Sequence, residues 1–268
     1  QVLTGQQWAL IFTKSSTRTR VSFEVGIREL GGEVMFLSGA DIQLGRGEPI
    51  KDTARVLGRM IHGAVIRTFA QQDVEEFASY SGIPTINALT DDEHPCQILA
   101  DLQTMTERLG GWEGRKVCFL GDGDCNVARS WIWAAAKLGF ELVIGAPKEF
   151  QPAQPFMVRV NSKQITVTDD PTEAVSGCDV LYTDVWVSMG KEEEAKERIE
   201  ILRPWQIDHN LLSKAKPGAL VMHCLPAYRG KEITEAVLED NAQLIFDQAE
   251  NRLHAQKAVI CELVRGGH

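Results

Sequence analysis

Short apolar segments alternate along this chain with longer segments whose apolar residues recur at helical spacing. The first apolar segment, residues 8–12, predicts a buried strand, and Val21, Val25 and residues 27–30 can share one face of the following helix. A strand, a covering helix and a further strand form the repeating unit of a parallel sheet. The sequence therefore predicts an α/β fold of mainly parallel sheets covered by helices. The predicted strands are residues 8–12, 33–37, 64–67, 84–88, 116–120, 141–145, 165–167, 179–183 and 219–224.

The composition limits the classes of function that this fold can serve. The chain has 268 residues and a formal net charge of −9, without a long Lys/Arg block that would suit a nucleic-acid partner. Neither a membrane span nor a secretory signal is predicted, because no long apolar run or basic leader occurs. The scattered cysteines, without a C-x-x-C pair, predict thiols in a reducing compartment, the cytoplasm, rather than a zinc site or a disulfide framework. They are Cys96, Cys118, Cys125, Cys178, Cys224 and Cys261.

The residues after the first predicted strand combine hydroxyl and guanidinium groups at the start of a helix. They read Lys14-Ser15-Ser16-Thr17-Arg18-Thr19-Arg20. The first turn of a helix has unpaired backbone N–H groups and the positive end of the helix dipole, so these side chains predict an anion site best suited to phosphate. An ordinary N-cap followed by surface arginines explains the same residues about equally well.

Other polar residues fall where further predicted strands end. Sites in open α/β sheets form at the carboxyl ends of the strands, so we expect these residues to share one active site. A structural role for His94 and a role as a core thiol for Cys224 remain alternatives. Neighbouring strand residues point to opposite faces, so His223 is not expected to deprotonate the adjacent cysteine. The residues are Arg67, His94, Asn126, Asp184 and Cys224.

The turn after the predicted strand at 116–120 contains part of a dinucleotide-binding fingerprint. It reads Gly121-Asp122-Gly123-Asp124-Cys125-Asn126. Asn126 replaces the third glycine, so a tight strand-to-helix turn is the favoured interpretation. A dinucleotide-binding oxidoreductase remains an alternative.

Five segments between residues 16 and 252 combine polar and rigid residues. They are Ser16-Thr17-Arg18-Thr19-Arg20, His94-Pro95-Cys96-Gln97, Asp184-Val185-Trp186-Val187-Ser188-Met189-Gly190, His223-Cys224-Leu225-Pro226 and Phe246-Asp247-Gln248-Ala249-Glu250-Asn251-Arg252. In this order they resemble the motifs of the aspartate/ornithine carbamoyltransferase family. The first resembles the family's carbamoyl-phosphate loop, and the third and fourth are similar to its ornithine branch. One departure is Cys125, which stands where the family usually has Asn.

The resemblance implies a role for each matching residue. Thr19, Arg67, His94 and Cys224 are expected to act in catalysis, and Gln43 is expected to enter the site of a neighbouring subunit. The residues expected to bind ornithine are Asn126, Asp184, Ser188 and Met189. Those expected to bind carbamoyl phosphate are Ser16, Thr17, Arg18, Thr19, Gln43, Arg67, His94, Gln97, Cys224, Leu225 and Arg252.

The resemblance also implies a reaction. The carbamoyl group of carbamoyl phosphate would pass to the δ-amine of L-ornithine, giving L-citrulline and phosphate, in arginine biosynthesis or in the catabolic arginine deiminase route. No metal or cofactor is expected, and the expected partners are the two substrates and further copies of this chain in a homotrimer or a multiple of trimers. Acetylornithine, putrescine and aspartate remain open as alternative acceptors.

Two domains are expected. Gly110-Gly111-Trp112 predicts a break between two halves of the chain. By the resemblance, residues 1–109 together with a returning C-terminal helix, 249–268, form the carbamoyl-phosphate-binding domain. Residues 110–248 form the ornithine-binding domain.

Overall fold

The structure is a computed structural model that describes residues 1–39, 47–187 and 195–266. The chain divides into two compact units, Gln1–Ala100 with Glu250–His268, and Asp101–Ala249. The dividing points fall inside two helices, Pro95–Leu109 and Ala242–Arg265. The division predicted from the sequence lies between residues 109 and 110, where the first of these helices ends.

The first unit contains a parallel sheet of four described strands in the order β2-β1-β3-β4. The chain passes from β1 outward to β2 and returns to the other side of β1 for β3, so the strand order reverses between β1 and β3. Ligand sites in such sheets form at this reversal, outside the carboxyl ends of the strands. The elements are β1 (Gln7–Phe12), α1 (Thr17–Glu29), β2 (Glu33–Ser38), α2 (Ile50–Leu57), β3 (Gly63–Arg67), α3 (Gln71–Ser81), β4 (Thr85–Leu89) and the start of α4 (Pro95–Leu109).

The second unit contains a parallel sheet of five described strands in the order β7-β6-β5-β8-β9. Here the strand order reverses between β5 and β8, and β9 is an edge strand. The elements are β5 (Lys116–Leu120), α5 (Asn126–Leu138), β6 (Glu141–Gly145), α6 (Gln154–Val160), β7 (Ile165–Thr168), α7 (Pro171–Val175), β8 (Val180–Thr183), α8 (Ala195–Leu202), α9 (His209–Leu212), β9 (Leu220–His223), α10 (Glu235–Asp240) and α11 (Ala242–Arg265).

The C-terminal part of α11 belongs to the first unit and packs on α1. The glycine at position 26 allows this contact, since a Cβ there would lie 3.3 Å from Leu253 and 3.1 Å from Lys257. Gln256 donates a hydrogen bond to the Ser22 hydroxyl, and Lys257 forms an ion pair with Glu29. The expected return of the C-terminal helix to the first domain is therefore confirmed.

The predicted alternation and the nine predicted strands are confirmed, with small differences at the strand ends. The short helices α6, α7 and α10 were not predicted, because one or two turns carry little periodic signal. The charged composition of the segment from Lys191 to Arg203 predicts a solvated helix. Helix α8 forms in its described part with Lys196, Glu197 and Glu200 exposed, but Arg198 and Leu202 are buried. Among the described residues, no helix combines the length and apolar character needed to cross a membrane.

The first residue of β3 must be glycine because a tryptophan ring on the neighbouring strand β1 packs against it. Trp8 is paired in register with Gly63, and a Cβ at position 63 would come within 2.6 Å of three ring atoms of Trp8. The indole is completely buried. Because close-packed interiors do not compress, the ring occupies the space that any side chain at position 63 would need.

We expect Gly63→Ala to destabilise the protein by about 1–3 kcal/mol, the usual cost of overpacking a core. Gly5→Ala is the matched control, because nothing lies within 4 Å of its Cβ and only its positive φ of 78° opposes the substitution. Calorimetric unfolding should show a lower midpoint for Gly63→Ala than for Gly5→Ala. A Gly63→Ala midpoint equal to that of the unsubstituted protein would show that the Trp8 ring can move aside.

Candidate active site

The candidate residues described by the structure form two groups, one in each unit. In the first unit, α1 begins directly after Ser16, whose backbone is extended and whose hydroxyl accepts a hydrogen bond of 3.2 Å from the Thr19 N–H. The N–H groups of Thr17 and Arg18 belong to the first turn and precede any intrahelical acceptor. The predicted N-cap thus forms, and the same turn presents N–H donors beside the carboxyl ends of β1 and β3.

Arg252 on α11 contacts four polar side chains of this unit through its guanidinium group. Its Nη1 donates to Gln97 Oε1 at 2.8 Å and lies 3.5 Å from His94 Nε2. Its Nη2 donates to the Thr19 hydroxyl at 3.3 Å. Its Nε donates to Gln256 Oε1 at 2.9 Å. All five side chains are buried, so Arg252 orders groups from α1 and α4 in an interior where a misplaced polar group is costly.

Arg67, the last residue of β3, adds a second buried guanidinium. Its side chain is 7% exposed, and its Nε has no hydrogen-bond partner among the described residues. Burial, with Arg252 and Arg18 nearby, lowers the pKa of Arg67 to about 10. Arg67 still carries its charge at neutral pH, so this region concentrates positive charge in an acidic protein. A phosphate dianion would neutralise that charge.

His94 is uncharged in this setting. Burial, and to a smaller extent Arg252 and Arg67, hold its pKa well below the usual range of histidine. A guanidinium can only donate, so His94 Nε2 accepts from Arg252 and the ring proton is on Nδ1. The ring can therefore polarise a carbonyl oxygen by donating a hydrogen bond. Nearby, Lys14 forms an ion pair with Asp91, which ties the end of β1 to the segment that carries His94.

In the second unit, Asp184 and Cys224 follow the neighbouring strands β8 and β9. The Cys224 thiol donates to Asp184 Oδ1 at 2.9 Å, and the Val185 N–H donates to the same oxygen at 2.7 Å. Burial and the Asp184 carboxylate raise the pKa of the Cys224 thiol well above its usual range. Burial also raises the pKa of Asp184. Cys224 is thus a neutral hydrogen-bond donor at neutral pH, not a thiolate nucleophile.

His223 does not act on Cys224. The Leu225 N–H donates to His223 Nδ1 at 2.9 Å, and His223 Nε2 lies 3.1 Å from Glu232 Oε1. Nδ1 therefore carries no proton, and Nε2 donates to the carboxylate. Leu225 adopts a positive φ of 58°, which a branched side chain rarely does. The imidazole thus holds the Leu225 backbone in a strained conformation, and the expectation that His223 is not the base for Cys224 is confirmed.

Asn126, the first residue of α5, lies beyond the carboxyl end of β5. Cys125 is the N-cap, with φ −72° and ψ 163°, and its sulfur accepts a 3.5 Å hydrogen bond from the Ala128 N–H. A thiol thus takes the capping role, and the turn at this departure from the family pattern has ordinary geometry. Gly121 has a positive φ of 119°, which side chains rarely adopt, and a Cβ there would lie 3.0 Å from the Trp186 indole nitrogen. Packing against Trp186 explains the glycine without a dinucleotide.

Arg198 joins this turn to the segment after β8. Its Nε donates to the Trp186 carbonyl at 3.0 Å, and its Nη2 donates to the Asp122 carboxylate. Its guanidinium also stacks over the Phe150 ring. Arg198 therefore helps to fix the spacing between the loops that carry Asn126 and Asp184 at the strand-order reversal.

Three candidate residues, Gln43, Ser188 and Met189, lie outside the described residues. Two groups that support the site, Gln256 and Glu232, were not predicted. Gln256 lies one helical turn after Arg252, a spacing that could have suggested contact. Within the described ranges, no group of three or more His, Cys, Asp or Glu side chains is placed to hold a metal ion.

Comparisons with known proteins agree on one family. The family model "Aspartate/ornithine carbamoyltransferase, carbamoyl-P binding domain" matches residues 1–107. The model "Aspartate/ornithine carbamoyltransferase, Asp/Orn binding domain" matches residues 113–263.

Similar proteins cover nearly the whole chain. An ornithine carbamoyltransferase of Akkermansia muciniphila is 64% identical over 97% of this chain and 86% of its own length. The Methanoculleus marisnigri protein of the same name is 49% identical over 100% of this chain and 87% of its length. The crystal structure of an anabolic ornithine carbamoyltransferase from Campylobacter jejuni matches with a TM-score of 0.94 and 43% identity, over 99% of this chain and 90% of that one. The structure of the Pyrococcus furiosus ornithine carbamoyltransferase matches with a TM-score of 0.92 and 46% identity, over 100% of this chain and 87% of that one.

We expect Asp184→Asn to speed the alkylation of Cys224 by iodoacetamide several-fold at pH 8. Removing the carboxylate charge lowers the pKa of the thiol, so a larger fraction is the reactive thiolate. Peptide mass mapping gives the rate at Cys224, with Cys261 as the reference thiol in the same sample. Asp169→Asn, an exposed change in the same unit, is the control. An unchanged or slower rate at Cys224 would contradict the electrostatic assignment.

Proposed function

This chain belongs to the aspartate/ornithine carbamoyltransferase family, and we propose that it transfers the carbamoyl group of carbamoyl phosphate to the δ-amine of L-ornithine, giving L-citrulline and phosphate. The observation that carries the proposal is the buried cluster in which Arg252 orders Thr19, His94 and Gln97 beside Arg67. Such a cluster suits a small dianion with a carbonyl group attached. The names of the similar proteins support ornithine as the acceptor.

In this proposal the first unit binds carbamoyl phosphate. Ser16, Thr17 and Arg18 provide the helix N-terminus and its N–H donors for the phosphate, and Arg67 neutralises the charge that grows on the leaving group. Thr19, Arg67 and His94 polarise the carbonyl oxygen. Gln97, whose Oε1 accepts from Arg252, binds the carbamoyl nitrogen. Arg252 contributes to carbamoyl-phosphate binding by holding Thr19 and Gln97 in place through its hydrogen bonds.

The reaction needs no external acid at the leaving group. The neutral δ-amine attacks the carbonyl carbon, the C–N bond forms, and the bond from carbon to the phosphate oxygen breaks to release phosphate. The amine gives up one proton, which the departing phosphate takes up to leave as HPO4²⁻. An amine of this type has a pKa near that of lysine, about 10.4, so the reactive form becomes more abundant as the pH rises. Holding both substrates in a reactive orientation supplies a further part of the acceleration.

The second unit binds ornithine in this proposal. Asp184 pairs with the α-ammonium group, and Asn126, Ser188 and Met189 complete the amino-acid site. Cys224 and the Leu225 carbonyl lie beside the reacting groups at the end of β9. The carboxylate of Asp184 disfavours aspartate as acceptor, because aspartate brings a second negative charge. Putrescine has no carboxylate for Ser188 to bind.

The remaining assignments rest on the same family membership. We assign carbamoyl-phosphate binding to residues 1–109 with 249–268, and ornithine binding to residues 110–248. We further propose a cytoplasmic homotrimer, or a multiple of trimers, in which Gln43 enters a neighbouring site. Six free cysteines support a reducing compartment. Light scattering on the purified protein would test the trimer.

The first test of the proposal compares acceptors. Carbamoyl phosphate is supplied with ornithine, N-acetylornithine, putrescine or aspartate, and the carbamoylated product is measured. We expect product with ornithine at a kcat/KM at least about 100-fold above the other amines, because a site built for charged groups rejects analogues that lack or misplace them. Preferred turnover of another amine would retain the carbamoyl site and overturn the assignment of Asp184 and Ser188.

Arg67→Ala should lower kcat/KM by about 100- to 1,000-fold, the usual cost of losing one donor to a developing oxyanion. Arg28→Ala is the matched control, since Arg28 is exposed near the end of α1. Steady-state citrulline formation measures both variants, and circular dichroism confirms that each is folded. Near-normal turnover in Arg67→Ala would remove Arg67 from the catalytic role.

A further inference from the structure

A glutamine side chain takes the place of a neighbouring strand at the edge of the second sheet. Gln248 on α11 is fully buried, and its Oε1 accepts a 3.0 Å hydrogen bond from the backbone N–H of His223. His223 is the last residue of β9, whose other side pairs with β8. The N–H therefore points away from the sheet, where an unpaired donor would be costly. The carboxamide supplies the acceptor that a further strand would otherwise give.

The orientation of this carboxamide is set by its second partner. Gln248 Nε2 donates to Asp101 Oδ1 at 2.7 Å and lies 3.4 Å from the Tyr182 hydroxyl. Asp101 and Tyr182 are also fully buried. A backbone N–H can only donate and a carboxylate can only accept, so the oxygen of the amide must face His223 and the nitrogen must face Asp101. Only a group that accepts at one end and donates at the other satisfies both.

The residue held in this way lies directly beside the candidate amine site. His223 precedes Cys224, and its imidazole accepts the N–H of Leu225, which has a positive φ. A shift of the His223 backbone would therefore move both the thiol that donates to Asp184 and the strained Leu225 backbone. Asp101 also acts on this thiol directly, because its charge contributes to the raised pKa of Cys224.

We propose that Gln248, oriented by Asp101 and Tyr182, is a positioning residue that fixes the His223–Leu225 segment for reaction with the acceptor amine. The inference deepens the proposed function and rests on it. Gln248 touches neither substrate in this scheme, and it acts through the backbone of His223. The binding of phosphate in the first unit does not depend on it.

Two substitutions separate positioning from a general structural role. Gln248→Leu keeps the volume but removes the acceptor for His223 and the donor to Asp101. Gln248→Glu keeps the shape, and while protonated it can accept from His223 and donate to Asp101. In this variant the new carboxyl group and that of Asp101 are buried side by side, so they share one proton and repel each other when both are ionised. Gln243→Leu and Gln243→Glu are matched controls, because Gln243 is exposed on the same helix.

For Gln248→Leu we expect kcat/KM for ornithine to fall at least about tenfold, the effect of leaving a buried donor unpaired. The affinity for inorganic phosphate, measured by calorimetry, should stay within about twofold, since its site lies in the other unit. Cys224 should be alkylated faster, because the segment that carries it is released. For Gln248→Glu, kcat/KM should match the unsubstituted protein near pH 7 and decline as the pH rises, although that of the unsubstituted protein increases.

The outcomes separate the two proposals. Alkylation of Cys224 needs no substrate, so it tests the positioning role even if the unsubstituted protein forms no citrulline, a result that would remove the proposed function alone. Unchanged alkylation and unchanged kcat/KM in Gln248→Leu would overturn the inference. If Gln248→Leu does not fold, the pH profile decides, and a Gln248→Glu profile parallel to that of the unsubstituted protein would overturn it.

Discussion

The buried guanidinium of Arg252 is the interaction on which the first candidate site depends. A charged group inside a protein is tolerated only where hydrogen bonds satisfy it, and Arg252 finds acceptors on Thr19, Gln97 and Gln256. These residues come from α1, α4 and α11, which are far apart in the sequence. The planar fork of arginine can reach all of them in fixed directions, which a lysine ammonium on a flexible stem cannot do. The hydrogen bonds of this one guanidinium thus link three helices and fix the positions of their donors and acceptors.

The strand order explains why the candidate residues could be found before the structure. In each sheet the order reverses once, between β1 and β3 and between β5 and β8. Arg67 ends β3, the α1 N-terminus follows β1, Asn126 follows β5 and Asp184 follows β8. Strand ends are readable from apolar runs, so the placement of polar residues after them was predictable. The side-chain contacts were not, because they depend on which helix returns and how it is rotated.

The features that the sequence could not reveal share one physical cause. The burial of Arg198, the tautomer of His223 and the orientation of the Gln248 carboxamide are each set by partners distant in sequence. The charged residues of a helix such as α8 are expected to face water. Arg198 is buried because the Trp186 carbonyl and the Asp122 carboxylate accept its hydrogen bonds. Cys125 shows the converse, because a local N-cap forms with a thiol in place of a better acceptor. Local rules thus predicted elements, whereas long-range partners decided the chemistry.

The two units have opposite electrostatic character, which fits opposite tasks. The first holds buried Arg67 and Arg252. Burial, and after it the charge of Arg252, lowers the pKa of Arg67, and a phosphate dianion would offset this concentration of positive charge. The second holds Asp184 and Asp101 near the Cys224 thiol, surroundings that favour a cationic amino acid. Negative surroundings bind an ammonium group well but also hold its proton, and only the neutral amine can attack. In the proposed function the Cys224 thiol, which donates to Asp184, limits this conflict, because it reduces the charge that the amine meets while leaving the carboxylate in place.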